Sequence, residues 1–178
     1  SGSRRSAMTA AICSTSLPTG ERVQIVAPPA CDLGLYSITI RKPSSRTFGL
    51  GELEAGGLFS QTREARGRHS DADEALLALK RDGKWAAFLE MAVTARKNIL
   101  ISGATGSGKT TLSKALIQLI PAGERLLTIE DTRELVVPHR NAVHLLYSKD
   151  GQGQAQVGAK ALLEASLRMR PDRILLQE

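Results

Sequence analysis

A chain of 178 residues, 42% hydrophobic and 24% charged, can bury one ordinary core or one core plus part of another, and its composition excludes a disordered or fibrous protein. The net charge of +6 lies mostly after residue 75, but no run of five cations marks a nucleic-acid tail, and aromatic residues, at 3%, are too scarce for a base-stacking surface. No apolar run approaches the roughly eighteen residues of a membrane span, no signal-peptide pattern is present, and two cysteines, Cys13 and Cys31, are too few for a disulfide framework or a zinc knuckle, so a cytosolic location is expected.

The first predicted elements are strands. Arg22–Val26 alternates, and Tyr36–Arg41 alternates more cleanly, with Tyr36, Ile38 and Ile40 on one face and Ser37, Thr39 and Arg41 on the other. Pro28, Pro29 and Gly34 supply the turn chemistry of a hairpin or meander between them. Two strands and at most one preceding helix are too little to stand alone, so residues 1–42 read as part of a small α+β amino-terminal domain. Residues 43–72, rich in Ser, Gly and Arg, read as a linker. A helix capped by Ser70 is expected from Asp73 to Arg81, ended by Asp82-Gly83. In the next helix Trp85, Phe88, Leu89, Ala92 and Val93 share a face, and Asn98–Ser102 is expected to be a short buried strand.

Gly-Ala-Thr-Gly-Ser-Gly-Lys-Thr at 103–110 is the most informative stretch of the chain, a complete phosphate-binding loop of the form G-x-x-x-x-G-K-[ST]. Glycines let such a backbone curl, so that N–H groups of Gly103, Ala104, Thr105, Gly106, Ser107, Gly108 and Thr111 and the start of the following helix converge on phosphate oxygens. Lys109 adds a mobile positive charge, and Thr110 offers a hydroxyl to Mg²⁺. Behind the loop, Leu112, Ala115, Leu116 and Leu119 recur at helical spacing before Pro121.

Strands are then expected at Arg125–Ile129, Val143–Tyr147 and Arg173–Leu176, a loop at 151–154, and a helix at Ala159–Met169. Helices alternating with short buried strands predict an α/β fold with a mostly parallel sheet and ligands at the carboxyl ends of its strands. Glu130 and Glu178 end two of those strands. Each is either a surface acid or a group that faces the loop, where carboxylates would hold a metal and orient water.

Four further segments accompany the loop: Gly-Glu-Arg-Val-Gln-Ile-Val at 20–26, Ser-Ile-Thr-Ile-Arg-Lys-Pro-Ser at 37–44, Thr-Ile-Glu-Asp-Thr-Arg-Glu-Leu at 128–135 and Leu-Arg-Met-Arg-Pro-Asp-Arg-Ile-Leu-Leu at 167–176. Together they resemble the hexameric traffic ATPases of bacterial type IV secretion systems, over nearly all of Gly20–Glu178. The resemblance implies a RecA-type P-loop ATPase domain over 73–178, truncated after its Walker B element. It implies ATP and Mg²⁺ as ligands, with Lys109, Glu130 and Glu178 catalytic and Thr110 and Glu178 on the metal. Arg22 and Arg41 match amino-terminal arginines that reach the nucleotide phosphates, whereas Gln177 stands where the family often has a small residue. A homo-hexamer at the cytoplasmic side of the inner membrane, in contact with secretion-channel components and without need of nucleic acid, is implied for the whole protein. This chain alone is expected to turn over weakly or not at all. The alternatives are a type II secretion or type IV pilus ATPase, which shares the loop and acidic segment, a nucleic-acid-dependent RecA-type ATPase, and a non-catalytic interaction fragment.

Overall fold

The computed structural model describes residues 11–62, 64, 70–149 and 156–177; the loop expected at 151–154 and Glu178 lie outside them. The elements run β1 (Ile12–Ser16), β2 (Arg22–Val26), β3 (Ser37–Arg41), α1 (Leu50–Ala55), α2 (Asp71–Arg81), α3 (Trp85–Thr94), α4 (Lys109–Ile117), β4 (Leu126–Glu130), β5 (Ala142–Leu146), α5 (Ala159–Ser166) and β6 (Arg173–Leu176). They fall into two compact units, one built from the chain up to Pro43 together with the chain from Ser102 on, the other from Ser44–Ile101. The structure therefore groups residues differently from the division at 42 and 72. The expected linker contains α1 and falls in the same unit as α2 and α3, which pack on each other.

In the first unit β1, β2 and β3 form an antiparallel sheet in that order. Among the described residues, the segment before β2 forms a strand and not a helix. Ile12, Thr15 and two serines suit a pleated ladder better than a helix, and β1 pairs with β2 from Ile12 opposite Val26 to Ser16 opposite Arg22. Because side chains alternate, Arg22, Gln24 and Val26 share a face with Ser37, Thr39 and Arg41. That face changes along its length: Val26 is fully buried, while Arg22 and Arg41 are exposed. Ile38 and Ile40, on the opposite face, are 59% and 58% exposed.

The second sheet of this unit is parallel, in the order β5-β4-β6. With a neighbour on each side, β4 is buried at every residue, which accounts for its nearly continuous apolar run. Leu127, Ile129 and Leu145 pack with Leu162 of α5 and with Met169, and Val26, Ala30 and Cys31 of the amino-terminal segment join the same core. Cys31 bridges Leu145, and Arg133 pairs with Asp32 at 2.7 Å.

Two local expectations are corrected here. Residues 98–102 form no strand, and Leu100 is 93% exposed. Apolarity marks a segment that can pair, but a strand exists only where its N–H and C=O groups find a ladder, and no described strand offers one to this segment. The helix behind the loop ends at Ile117 rather than just before Pro121, and the turn that follows buries Ile120 while Leu112 and Leu119 stay more than a third exposed.

In the second unit, Ser70 caps α2 as expected. Its hydroxyl accepts from the Asp73 N–H at 3.2 Å, and the Asp73 carboxylate accepts from the Ser70 N–H at 3.1 Å. Lys97 closes on Asp73 at 2.5 Å, and that hydrogen bond, before those from Ser70, holds the carboxyl well below the usual carboxylate range.

Candidate functional site

The loop expected to bind phosphate is built as its sequence demands. Gly106 and Gly108 have φ of +79° and +89°, which only glycine adopts freely, and the Ser107 N–H donates to the Ala104 carbonyl at 3.1 Å to tighten the curl. A Cβ at Gly103 would stand 2.5 Å from the Ser107 Oγ, so a side chain there would displace the Ser107 hydroxyl. α4 starts at Lys109 with Gly108 as its N-cap and no side-chain cap, so its first N–H groups face outward as an anion-binding end. Ala104, Thr105, Ser107 and Thr111 are exposed along this surface.

Lys109 folds back over the loop. Its Nζ donates to the Gly103 and Ala104 carbonyls at 2.7 and 2.9 Å. Both acceptors are neutral, so a phosphate would compete for the ammonium with a full opposing charge.

Thr110 is the meeting point of the site. Its hydroxyl donates to Glu134 Oε2 at 3.2 Å, and the Gln177 amide donates to Thr110 Oγ1 at 3.2 Å and to Glu134 Oε2 at 2.7 Å. Gln177 follows β6, and its backbone N–H continues the ladder to the Ile129 carbonyl at 3.0 Å. The carboxyl edge of the parallel sheet and the start of α4 are thus joined through three side chains.

Glu130 sits differently from the expectation that it polarises water or metal. It is fully buried, and its Oε1 accepts from the backbone N–H groups of Glu134 and Leu135 at 2.9 and 2.8 Å. It therefore holds the chain that presents Glu134, while its Oε2 is buried and, among the described residues, has no hydrogen-bond partner. Sequence reasoning missed Glu134 as a site residue, although the segment 128–135 containing it was singled out.

Asp131 is held low in pKa mainly by its hydrogen bond with Lys149, the pair standing at 2.9 Å. Arg22 and Arg41 face each other across β2 and β3, and neither makes a hydrogen bond or ion pair with the loop. Glu178, expected on the metal, is outside the described residues. Among the described residues no group of three or more His, Cys, Asp and Glu is arranged as a metal site, and no helix is long and apolar enough to cross a membrane.

The model of one protein family, the type II/IV secretion system proteins, matches residues 73–178, more than half of the chain. The chain belongs to the type II/IV secretion system protein family. Within it, the chain is similar to the type IV secretion system protein VirB11 of Bartonella quintana (strain Toulouse), 55% identical over an alignment of 180 positions, gaps included, that covers 94% of this chain and 50% of that protein. It is 53% identical over 170 residues to protein VirB11 of Rhizobium radiobacter, again with 94% of this chain and 50% of the relative covered. The crystal structure of the VirB11 ATPase from the Brucella suis type IV secretion system, in complex with sulphate, superposes with a TM-score of 0.84 at 47% identity, over 93% of this chain and 49% of that one. The mixed α/β fold is thus that of a type II/IV secretion system protein, and the chain spans about half the length of the relatives it matches.

Proposed function

We propose that this chain carries the nucleotide-binding part of an ATPase motor of a bacterial type IV secretion system, built on a RecA-type P-loop core preceded by part of an amino-terminal domain. The observation that carries the reading is the convergence of Thr110, Glu134 and Gln177 at the open end of α4, on the carboxyl edge of the sheet. Names of relatives at 53–55% identity favour type IV secretion over the type II and pilus alternatives that the family also includes.

ATP is the substrate in this reading. The loop amides and the uncapped start of α4 bind its phosphates, and Lys109 exchanges its two carbonyl partners for phosphate oxygens. Mg²⁺ is the implied metal, and the donor set suits a hard cation that keeps most of its waters: one hydroxyl, Thr110, with the carboxylate of Glu134 beside it. When bound, the ion neutralises charge on the transferred phosphoryl group. Glu134 accepts a proton or hydrogen bond from water, Glu130 fixes the backbone that presents Glu134, and Glu178 adds a second acid beyond Gln177. Arg22 and Arg41 supply positive charge that makes amino-terminal docking depend on a bound anion.

For the whole protein the reading includes a homo-hexamer at the cytoplasmic face of the inner membrane that contacts secretion-channel components and does not depend on nucleic acid. This chain alone binds nucleotide and hydrolyses it poorly. Calorimetric titration with Mg·ATP tests the reading: saturable binding that Lys109→Ala removes is expected, and equal affinity in the two proteins would refute it.

A further inference from the structure

Gln177 belongs neither to the phosphate loop nor to the acids expected around it, yet its side chain makes the contacts that close the site. One amide nitrogen donates to Thr110 Oγ1 at 3.2 Å and to Glu134 Oε2 at 2.7 Å, which engages both of its hydrogens. Thr110 gives its own hydrogen to the same Glu134 oxygen. A hydroxyl has one hydrogen and two lone pairs, so Thr110 is left with one lone pair, aimed in one direction.

The amide cannot turn over. A flip would set Gln177 Oε1 against the carboxylate oxygen that now accepts from Nε2, acceptor against acceptor. Its backbone is fixed too, since the N–H donates to the Ile129 carbonyl at 3.0 Å and the carbonyl accepts from the Tyr147 hydroxyl at 3.2 Å. A second feature accompanies this: Gln177 Oε1 is buried, and among the described residues it has no hydrogen-bond partner. A buried acceptor held without a donor is unfavourable in the ligand-free chain and becomes satisfied when a donor such as a cation-bound water arrives.

We propose that Gln177 is a positioning residue that orients the Thr110 hydroxyl and the Glu134 carboxylate toward a magnesium-bound nucleotide. The inference rests on the reading of the loop as a Mg²⁺–nucleotide site. It assigns to Gln177 a contribution to metal-dependent affinity and none to metal-free phosphate binding, which the loop amides and Lys109 provide.

The test is ADP affinity with and without Mg²⁺, measured by calorimetry on the intact natural protein and on its Gln177→Met variant, with urea unfolding to confirm that the fold is retained. The gain in affinity on adding Mg²⁺ should fall about tenfold in the variant, the scale of one lost charge-assisted hydrogen bond, while metal-free affinity stays within about twofold. An unchanged gain, or an equal loss with and without the metal, overturns the proposal. If Met strains the strand end, Gln177→Ala removes the same donor with less bulk and is judged by the same ratio. Glu134→Ala combined with Gln177→Met should lose less than the two single losses together, because both act through Thr110; independent losses would also overturn it. Failure of the underlying reading looks different: the unaltered protein would bind no ADP, or would bind it as tightly after Lys109→Ala, and both proposals would then fall.

Discussion

Arg22 and Arg41 stand directly opposite each other on the β2–β3 ladder, both exposed, at the end of the sheet face away from buried Val26. Like charges at such a pair oppose strand pairing by roughly 0.2–1 kcal/mol, and an anion between them would reverse the sign. Arg41→Ala should therefore raise the melting temperature of the ligand-free chain slightly, by about 1–3 °C. In the whole protein it should reduce the rise that nucleotide produces, and differential scanning calorimetry with and without nucleotide reads both effects.

Glu130 and Glu134 should separate stability from turnover. Glu130→Ala leaves two inward N–H groups without their acceptor and should destabilise the fold by about 1–3 kcal/mol in urea unfolding. Glu134 is exposed, so Glu134→Gln should leave stability within about 0.5 kcal/mol. Turnover of the whole protein should nevertheless fall at least about a hundredfold, the range for loss of a positioned proton acceptor. Equal loss of stability in the two variants would contradict the division of labour.

Lys109→Ala should fold normally, because among the described residues the ammonium bonds only to the carbonyls of Gly103 and Ala104 on an exposed loop. Saturating nucleotide should then give no thermal stabilisation. For the unaltered chain a ligand at a hundred times its Kd stabilises by about 2.7 kcal/mol, so the contrast is readily measured.

His144 predicts a loss of stability on mild acidification. Burial lowers its pKa, with Arg133 adding to the effect and Asp32 and Glu130 opposing it, while Nδ1 pairs with the Thr128 hydroxyl at 2.9 Å. A lowered folded value means that the unfolded chain takes up the proton first. The stabilisation is complete above about pH 6.5 and is lost as the pH falls through the folded value. Asp73 and Asp131 shift in the same direction, so a second decline follows in the carboxylate range. Chemical denaturation between pH 8 and pH 2 should show both stages, and His144→Gln should flatten only the first.

Much of the fold could be read in the sequence because the relevant signals are local. Alternation gave β2 and all of β3 with one residue in excess, Ser70 with Asp73 gave the start of α2 to within two residues, and the glycine pattern gave the loop and the presence of α4 behind it. Misses came where partners decide. Residues 98–102 have the composition of a strand without a ladder, and β1 has modest apolarity but a complete ladder with β2. The site shows the same pattern. Thr110 and Lys109 are fixed by the motif, but the choice of Glu134 over Glu130 depends on which carboxylate the returning loop folds around, and Gln177 enters only because β6 lies beside β4.

The two hydrogen bonds that Glu130 accepts from the Glu134 and Leu135 amides have a mechanical consequence. A loop anchored only at its ends would let Glu134 wander with every thermal fluctuation of the surface. Here the anchor is the last side chain of β4, the strand buried along its whole length, so the Glu134 carboxylate borrows the stiffness of the sheet interior while remaining open to solvent.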